Sequence, residues 1–437
     1  MKNSYLIIIF LSIVKFSSAA NIDTLLIPNA ELLVKLGLKN NSNLKIYKLK
    51  IAQSKSDLKA SNYFKTPQIS GNFNSQDNLK LSTTSIPGFI VGQPGKNINI
   101  SFGKQYTNSM GISAVQSIMD WQHLFQSKIA YQNTQLLKAQ EDQSIQNLKI
   151  QILQTYYAVI TSLTAITISE KDLQLSDSIV NIIGYKFENG IIDESSLNQA
   201  KVNSNNIKQN IIQSSTLVRQ SIAYLKNLLD LPASTDLKFV LPEQLVVFNK
   251  QPIAPIGADK ALQPLQQMVK IDSLQIKEAK TKYYPKINLV GYKGYDQFRD
   301  DLGIDLKKGS WNDYSYISIM ATVPIYAGFL NRNKVQSMIY KKQASEEQLK
   351  FATQQSILND QNLVESYTAT LELIELTKNN FELLNKITTA NFEKYVNGLI
   401  SLDIYLKSFE DYLKSENIYL NMVSNLQIIN ANFEGRK

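Results

Sequence analysis

The sequence of 437 residues predicts a mainly α-helical chain with a β-barrel part, in which very long helices prolong strands that several chains contribute to one barrel. Three observations carry this. Glycine and proline vanish from two long stretches, Ile112–Ile183 and Phe329–Asn397. A short apolar-aromatic step marks the start of each, VQSIMDWQHLFQSK at 115–128 just inside the first and VPIYAGFLNRNK at 323–334 leading into the second, where Pro324 and Gly328 bracket the step. Ahead of them lie segments of two-residue alternation, a period that belongs to strands.

The first element is MKNSYLIIIFLSIVKFSSAA, read as a signal peptide over 1–20. Lys2 supplies the basic start, Tyr5–Val14 the apolar core, and Ser18 and Ala20 the small residues before cleavage. An N-terminal anchor is disfavoured because the apolar run is about ten residues, where a spanning helix needs about twenty. No other stretch is expected to cross a membrane as a helix, so a mature chain that enters one does so as strands. Cysteine is absent, which excludes disulfides, thiolate metal sites and N-terminal lipidation. The formal charge of +9 falls to +7 when Lys2 and Lys15 leave with the signal. The remaining lysines are spread out, and without a basic patch no nucleic-acid partner is expected.

Glycine and proline then divide the chain into a first structural repeat, 21–230, a Pro-rich connector, 231–257, and a second repeat, 258–437. TPQISGNF at 66–73 pairs with YPKINLVGY at 284–292, VQSIMDW with VPIYAGF, and YKFENGIIDESSL at 185–197 with EKYVNGLISLDIY at 393–405. The last two pairs recur at separations that agree to within a residue, so an internal duplication is the economical reading. Each repeat resolves into a helix, two strands, a very long helix, an Asn-Gly turn and another long helix.

In the first long helix Ile145, Leu148, Ile152, Tyr156, Val159, Leu163 and Ile166 step by three or four and share a face. Leu363, Tyr367, Leu371, Ile374, Phe381 and Leu384 do the same in the second. Sixty helical residues make a rod of roughly 90 Å. A rod with one narrow apolar stripe packs against like rods, as a coiled coil or a helical barrel.

In Gln68–Gln76, Ile69, Gly71 and Phe73 alternate with Gln68, Ser70, Asn72 and Asn74; in 312–323, Ile317, Ile319, Ala321 and Val323 alternate with Tyr316, Ser318, Met320 and Thr322. Such strands suit a membrane barrel, although a half-buried soluble sheet would look similar. The number of strands decides. Four strands per chain cannot close a barrel, since about eight is the practical minimum, and lipid tolerates no open edge. Copies of the chain must therefore share strands, eight from two chains or twelve from three. Leu79–Thr107 and Gln297–Gly309 read as loops at the mouth.

At these residues the sequence resembles the TolC-like outer-membrane efflux family. The duplicated plan, the VPIYAG junction, its degenerate partner VQSIMDW and the paired NG turns carry the likeness, which covers essentially the mature chain. The resemblance implies a homotrimer with a twelve-stranded transmembrane barrel and a periplasmic helical tunnel, in the outer membrane of a Gram-negative bacterium. It also implies a periplasmic adaptor of the membrane fusion type and an inner-membrane pump of the RND, ABC or MFS class. Pro324 and Gly328, with Ser117 and Trp121 in the first repeat, mark where strand becomes tunnel. Gly190 and Gly398 make the turns at its inner end. There Tyr395 matches a gate-linking tyrosine, with Phe187 in the equivalent place. The sequence departs from the family's acidic ring: Ile404, Lys407 and Ser196 stand where aspartates are expected. Asp403, Asp193 and Glu194 are the acids at hand for the constriction, the alternative being that they are solvated carboxylates at helix starts.

No phosphate loop, nucleophile elbow or metal-ligand spacing is present, so an enzyme is not expected, and no cofactor. GFIVGQPG at 88–95 is Gly-rich but opens no helix. The sole histidine, His123, reads as an interfacial polar residue. The competing function is a periplasmic helical-hairpin adaptor or structural protein without a pore. An exported enzyme on a helical scaffold would need a polar pocket that no residues supply.

Overall fold

The computed structural model describes residues 24–92, 94–241, 259–307 and 309–436. The signal segment 1–20 and most of the connector 231–257 lie outside them. The chain forms two compact units, one of Tyr47–Gln140 with Ala261–Thr353, the other of the residues up to Ile46, Glu141–Lys260 and Gln354 onward.

The first unit is built on an antiparallel sheet of four strands, β2 (Gln68–Asp77), β5 (Tyr106–Met119), β7 (Lys286–Arg299) and β8 (Asn312–Thr322), in that order. The register sets Ile69 opposite Ala114, Gly71 opposite Ile112 and Phe73 opposite Met110, then Gly291 opposite Ile317 and Leu289 opposite Ile319. Residues directly opposite share a face, so the sheet has one mainly apolar side. That side is bare: Ile69, Phe73, Ile112, Ile317 and Ile319 are all more than half exposed. On the other side Ser70 and Ser113 share a hydrogen bond of 2.7 Å, and the Tyr292 ring lies 5.6 Å from that of Tyr316. Among the described residues β2 and β8 each have one partner, leaving two open edges.

Two corrections apply to the segments read as loops. Leu79–Thr107 contains a hairpin, β3 (Thr83–Pro87) with β4 (Asn97–Ser101), in which Ile86 faces Ile98. These strands are short and pair only with each other, and the surrounding Pro and Gly hid them. GFIVGQPG lies at the tip of this hairpin. In the connector, Asp236–Phe239 forms β6, which pairs in parallel with β1 (Thr24–Ile27). A parallel pairing across that distance leaves no local signal.

Helix α1 (Ala30–Asn40) starts at Asn29, whose side chain accepts from the Leu32 N–H at 3.1 Å, and α2 (Ser42–Ala60) follows it. α3 runs Trp121–Glu188, α4 Glu194–Leu228, α5 Leu262–Lys280, α6 Leu330–Val396 and α7 Leu402–Gly435. The second unit buries Ile27, Leu33, Ile152, Tyr156, Val159, Leu225 and Leu237 in one core. The stripe expected on α3 is therefore its packed side, with Leu148, Ile152, Tyr156 and Val159 buried. On α6 the stripe residues Leu363, Tyr367, Leu371, Phe381 and Leu384 are half-buried and Ile374 is fully so, while their neighbours face solvent. One further expectation fails: α3 contains a window long and apolar enough to cross a membrane by composition. Less than half of that window, 44%, is buried within the protein.

Candidate functional site

Two helix turns of the second unit gather most of the predicted site residues. Between α3 and α4, Gly190 has φ +70°; its N–H donates to the Phe187 carbonyl at 2.9 Å and the Ile191 N–H to that of Lys186 at 2.9 Å. Between α6 and α7, Gly398 has φ +72°; its N–H donates to Tyr395 at 3.0 Å and the Leu399 N–H to Lys394 at 2.8 Å. This paired bonding closes a helix when the residue after its end is left-handed, which glycine adopts without a Cβ clash. The preceding asparagines help, donating from their amides to the carbonyls of Tyr185 and Glu393 at 2.7 and 2.8 Å.

Tyr395 sits in the last turn of α6. Its hydroxyl accepts from Lys186 Nζ at 3.0 Å, and that ammonium lies 4.6 Å from the ring centre, a cation–π contact across the two turns. The ring stacks on Tyr405, 6.0 Å away and 8° from parallel, and Tyr405 continues to Phe409 at 6.3 Å. Tyr405 is 1% exposed and packs with Ile183, Leu197, Leu402 and Leu406. Burial pushes its phenol well above the ordinary range.

The acids divide by role. Asp193 is the N-cap of α4, accepting from the Ser196 N–H at 2.9 Å, and this backbone bond leads the causes holding its carboxyl below the usual range. Asp403, in the first turn of α7, accepts from the Ser196 hydroxyl at 3.1 Å and so ties α7 to α4. Glu194 opens α4 with an exposed side chain. Of the positions where the resemblance places aspartates, Ser196 thus binds the neighbouring acid, Ile404 is exposed, and Lys407 pairs with Glu410 and Asp411 at 3.4 and 3.2 Å. Sequence reasoning missed Lys186, Ser196 as a linker, and Tyr405. The spacing Leu402, Tyr405, Leu406, Phe409 signals the last; the first two act only through partners about two hundred positions away.

The strand-to-helix junctions belong to the first unit and differ from each other. β8 ends at Thr322 and α6 starts at Leu330, with Pro324 and Gly328 (φ +60°) in the irregular step between. Ahead of α3, β5 instead continues through Ser117 with an irregular register at Ser117/Met119, and α3 begins directly at Trp121. Without a proline the ladder is not cut, and a bulge takes up the change of direction. Trp121 meets Tyr284 edge to face at 6.4 Å. Just inside α3, His123 uses both ring nitrogens, Nδ1 to Asp120 at 2.6 Å and Nε2 to the Tyr63 hydroxyl at 2.5 Å.

The model of the family described as outer membrane efflux protein matches residues 33–230. Over that stretch, just under half of its length, the chain is similar to the outer membrane efflux proteins. Its fold is similar to solved outer membrane channels over nearly the whole chain. The outer membrane channel CmeC of Campylobacter jejuni is similar at a TM-score of 0.74 and 15% identity, over 93% of this chain and 85% of that one. The outer membrane protein VceC of Vibrio cholerae is similar at 0.75 and 14%, over 93% and 95%. The outer membrane channel MtrE of Neisseria gonorrhoeae, solved in its open state, is similar at 0.75 and 15%, over 94% and 88%. No curated protein sequence matches the chain. The chain thus shares its fold with these channels at an identity where sequence alone shows little. The family matched over residues 33–230 is one of outer-membrane efflux proteins.

Proposed function

We propose that this protein is the outer-membrane exit duct of a tripartite efflux or type I secretion system. Three copies contribute four strands each to a twelve-stranded barrel, and the long helices form a periplasmic tunnel. Substrates delivered by an inner-membrane pump of the RND, ABC or MFS class, through a periplasmic adaptor, leave by this duct. The mature chain is read as two repeats, 21–230 and 258–437, related by duplication. The paired turns form the inner constriction, closed by Lys186–Tyr395 and Ser196–Asp403, with Asp403, Asp193 and Glu194 supplying negative charge.

The observation that supports this reading best is the four-stranded sheet with two open edges and a bare apolar face. Unpaired strand edges and exposed apolar side chains are costly in water, and lipid together with further strands satisfies both. A pore-free helical-hairpin adaptor has no use for such a sheet. The test is extraction and an unheated gel. The exit duct requires detergent for extraction and migrates as a heat-sensitive trimer. Recovery as a soluble monomer after lysis overturns it.

A further inference from the structure

Beyond the turns, α3 and α7 lie side by side in the second unit. Gln154 donates to Asn432, the Tyr157 hydroxyl to Glu434 and the Tyr412 hydroxyl to Asp172, each at 3.4 Å. Within this seam two carboxyl groups are almost wholly buried, Asp172 at 8% and Glu416 at 5% exposure. Asp172 Oδ2 and Glu416 Oε1 have no hydrogen-bond donor among the described residues. Tyr412, which reaches Asp172, stands one helical turn before Glu416 on α7, so the two carboxyls lie together in the seam. A carboxylate only accepts, so the two groups can bond each other only when one carboxyl carries a proton.

Among the described residues no cation acts on either carboxyl. On α4, Lys208 is taken by Asp177 at 3.4 Å, and Ile211 belongs to the apolar cluster below. From α6, Phe381 stacks on Tyr412 and Tyr419 at 5.6 and 5.9 Å, with Glu382 acting on Tyr419. Among the described residues the titratable group that acts on both carboxyls is the Tyr412 phenol.

We propose that Asp172 and Glu416 form a one-proton site that latches α3 to α7. With the proton bound, the carboxyls share a hydrogen bond. Without it, two like charges face each other in an apolar seam and the helices separate. Asp172 stands eighteen residues before Gly190 and Glu416 eighteen after Gly398, so the latch acts on helices that flank both turns. The inference rests on reading those turns as the constriction: acid holds them shut, and loss of the proton frees them.

Burial leads the causes that raise both carboxyls above the ordinary range, and the Asp172 hydrogen bond and charge raise Glu416 further. An acid raised in the folded state contributes stability that is fully present below its unfolded value and is lost as pH rises towards its folded one. The full chain in detergent, melted between about pH 5 and about pH 8, should lose up to about tenfold in its folding equilibrium per pH unit for one proton. Glu416→Gln and Asp172→Asn keep shape without titrating, and each should flatten that slope. In bilayers the wild type should open more often as pH rises, and the variants should lose this response. Slopes that stay parallel in the wild type and both variants overturn the proton site. A chain that conducts nothing while the variants still flatten the slope supports the proton site and removes only the constriction reading.

Discussion

Ser196 serves two acids at once: its N–H goes to Asp193 and its hydroxyl to Asp403. Asp193 is thereby spent on capping α4, as its place at the helix start foretold, while Asp403 reaches across to a different helix. Their neighbourhood was legible from the paired turns, and their division of labour was not, because nothing local says which carboxylate the hydroxyl will choose. If Asp403 supplies charge at the constriction, Asp403→Ala should lower cation preference in single-channel recordings. One unit charge about 4 Å from a permeating ion in water is worth about 1 kcal/mol, or about fivefold in occupancy. Ser196→Ala keeps the charge and should leave preference near wild type. Unchanged selectivity and conductance in Asp403→Ala remove the assignment. Lys186 lies at the other extreme of legibility: nothing beside it in the chain marks it as the partner of Tyr395.

Among the elements, the two Asn-Gly turns were the most legible, because their chemistry is complete within six residues. Gly190 and Gly398 sit at φ +70° and +72°, where a Cβ meets the following carbonyl. Gly190→Ala and Gly398→Ala should each cost about 1–2 kcal/mol in thermal unfolding, and the double variant should depart from the sum because Lys186–Tyr395 and Ser196–Asp403 couple the turns. Destabilisation well below that range in both would mean that the turns relax into another closure. The long helices were legible for a related reason. Their apolar period and lack of glycine and proline are properties of the run itself, and α3 and α6 begin within a few residues of the apolar steps that announced them. The short strands β1, β3, β4 and β6 were not, because four or five residues hold too little period to stand out from punctuation.

For the whole molecule, the two faces of the sheet make opposite predictions. Ile317 lies on the apolar face, 82% exposed, and Ser318 on the opposite one with Tyr316. In a barrel, Ile317→Arg should reduce folding into bilayers by about 2–4 kcal/mol near the midplane and less near an interface, whereas Ser318→Arg should do little. Equal effects at both positions would contradict a lipid-facing side.

The sequence by itself determined the alternating and helical periods and the turn chemistry, since each is written in residues that are close along the chain. Only the tertiary structure decided that β5 pairs with β7, that β1 finds β6, and that two acids from α3 and α7 are sealed together in one seam. Those choices depend on matching surfaces from segments far apart in the chain, and local propensity carries no record of which distant face will cover which.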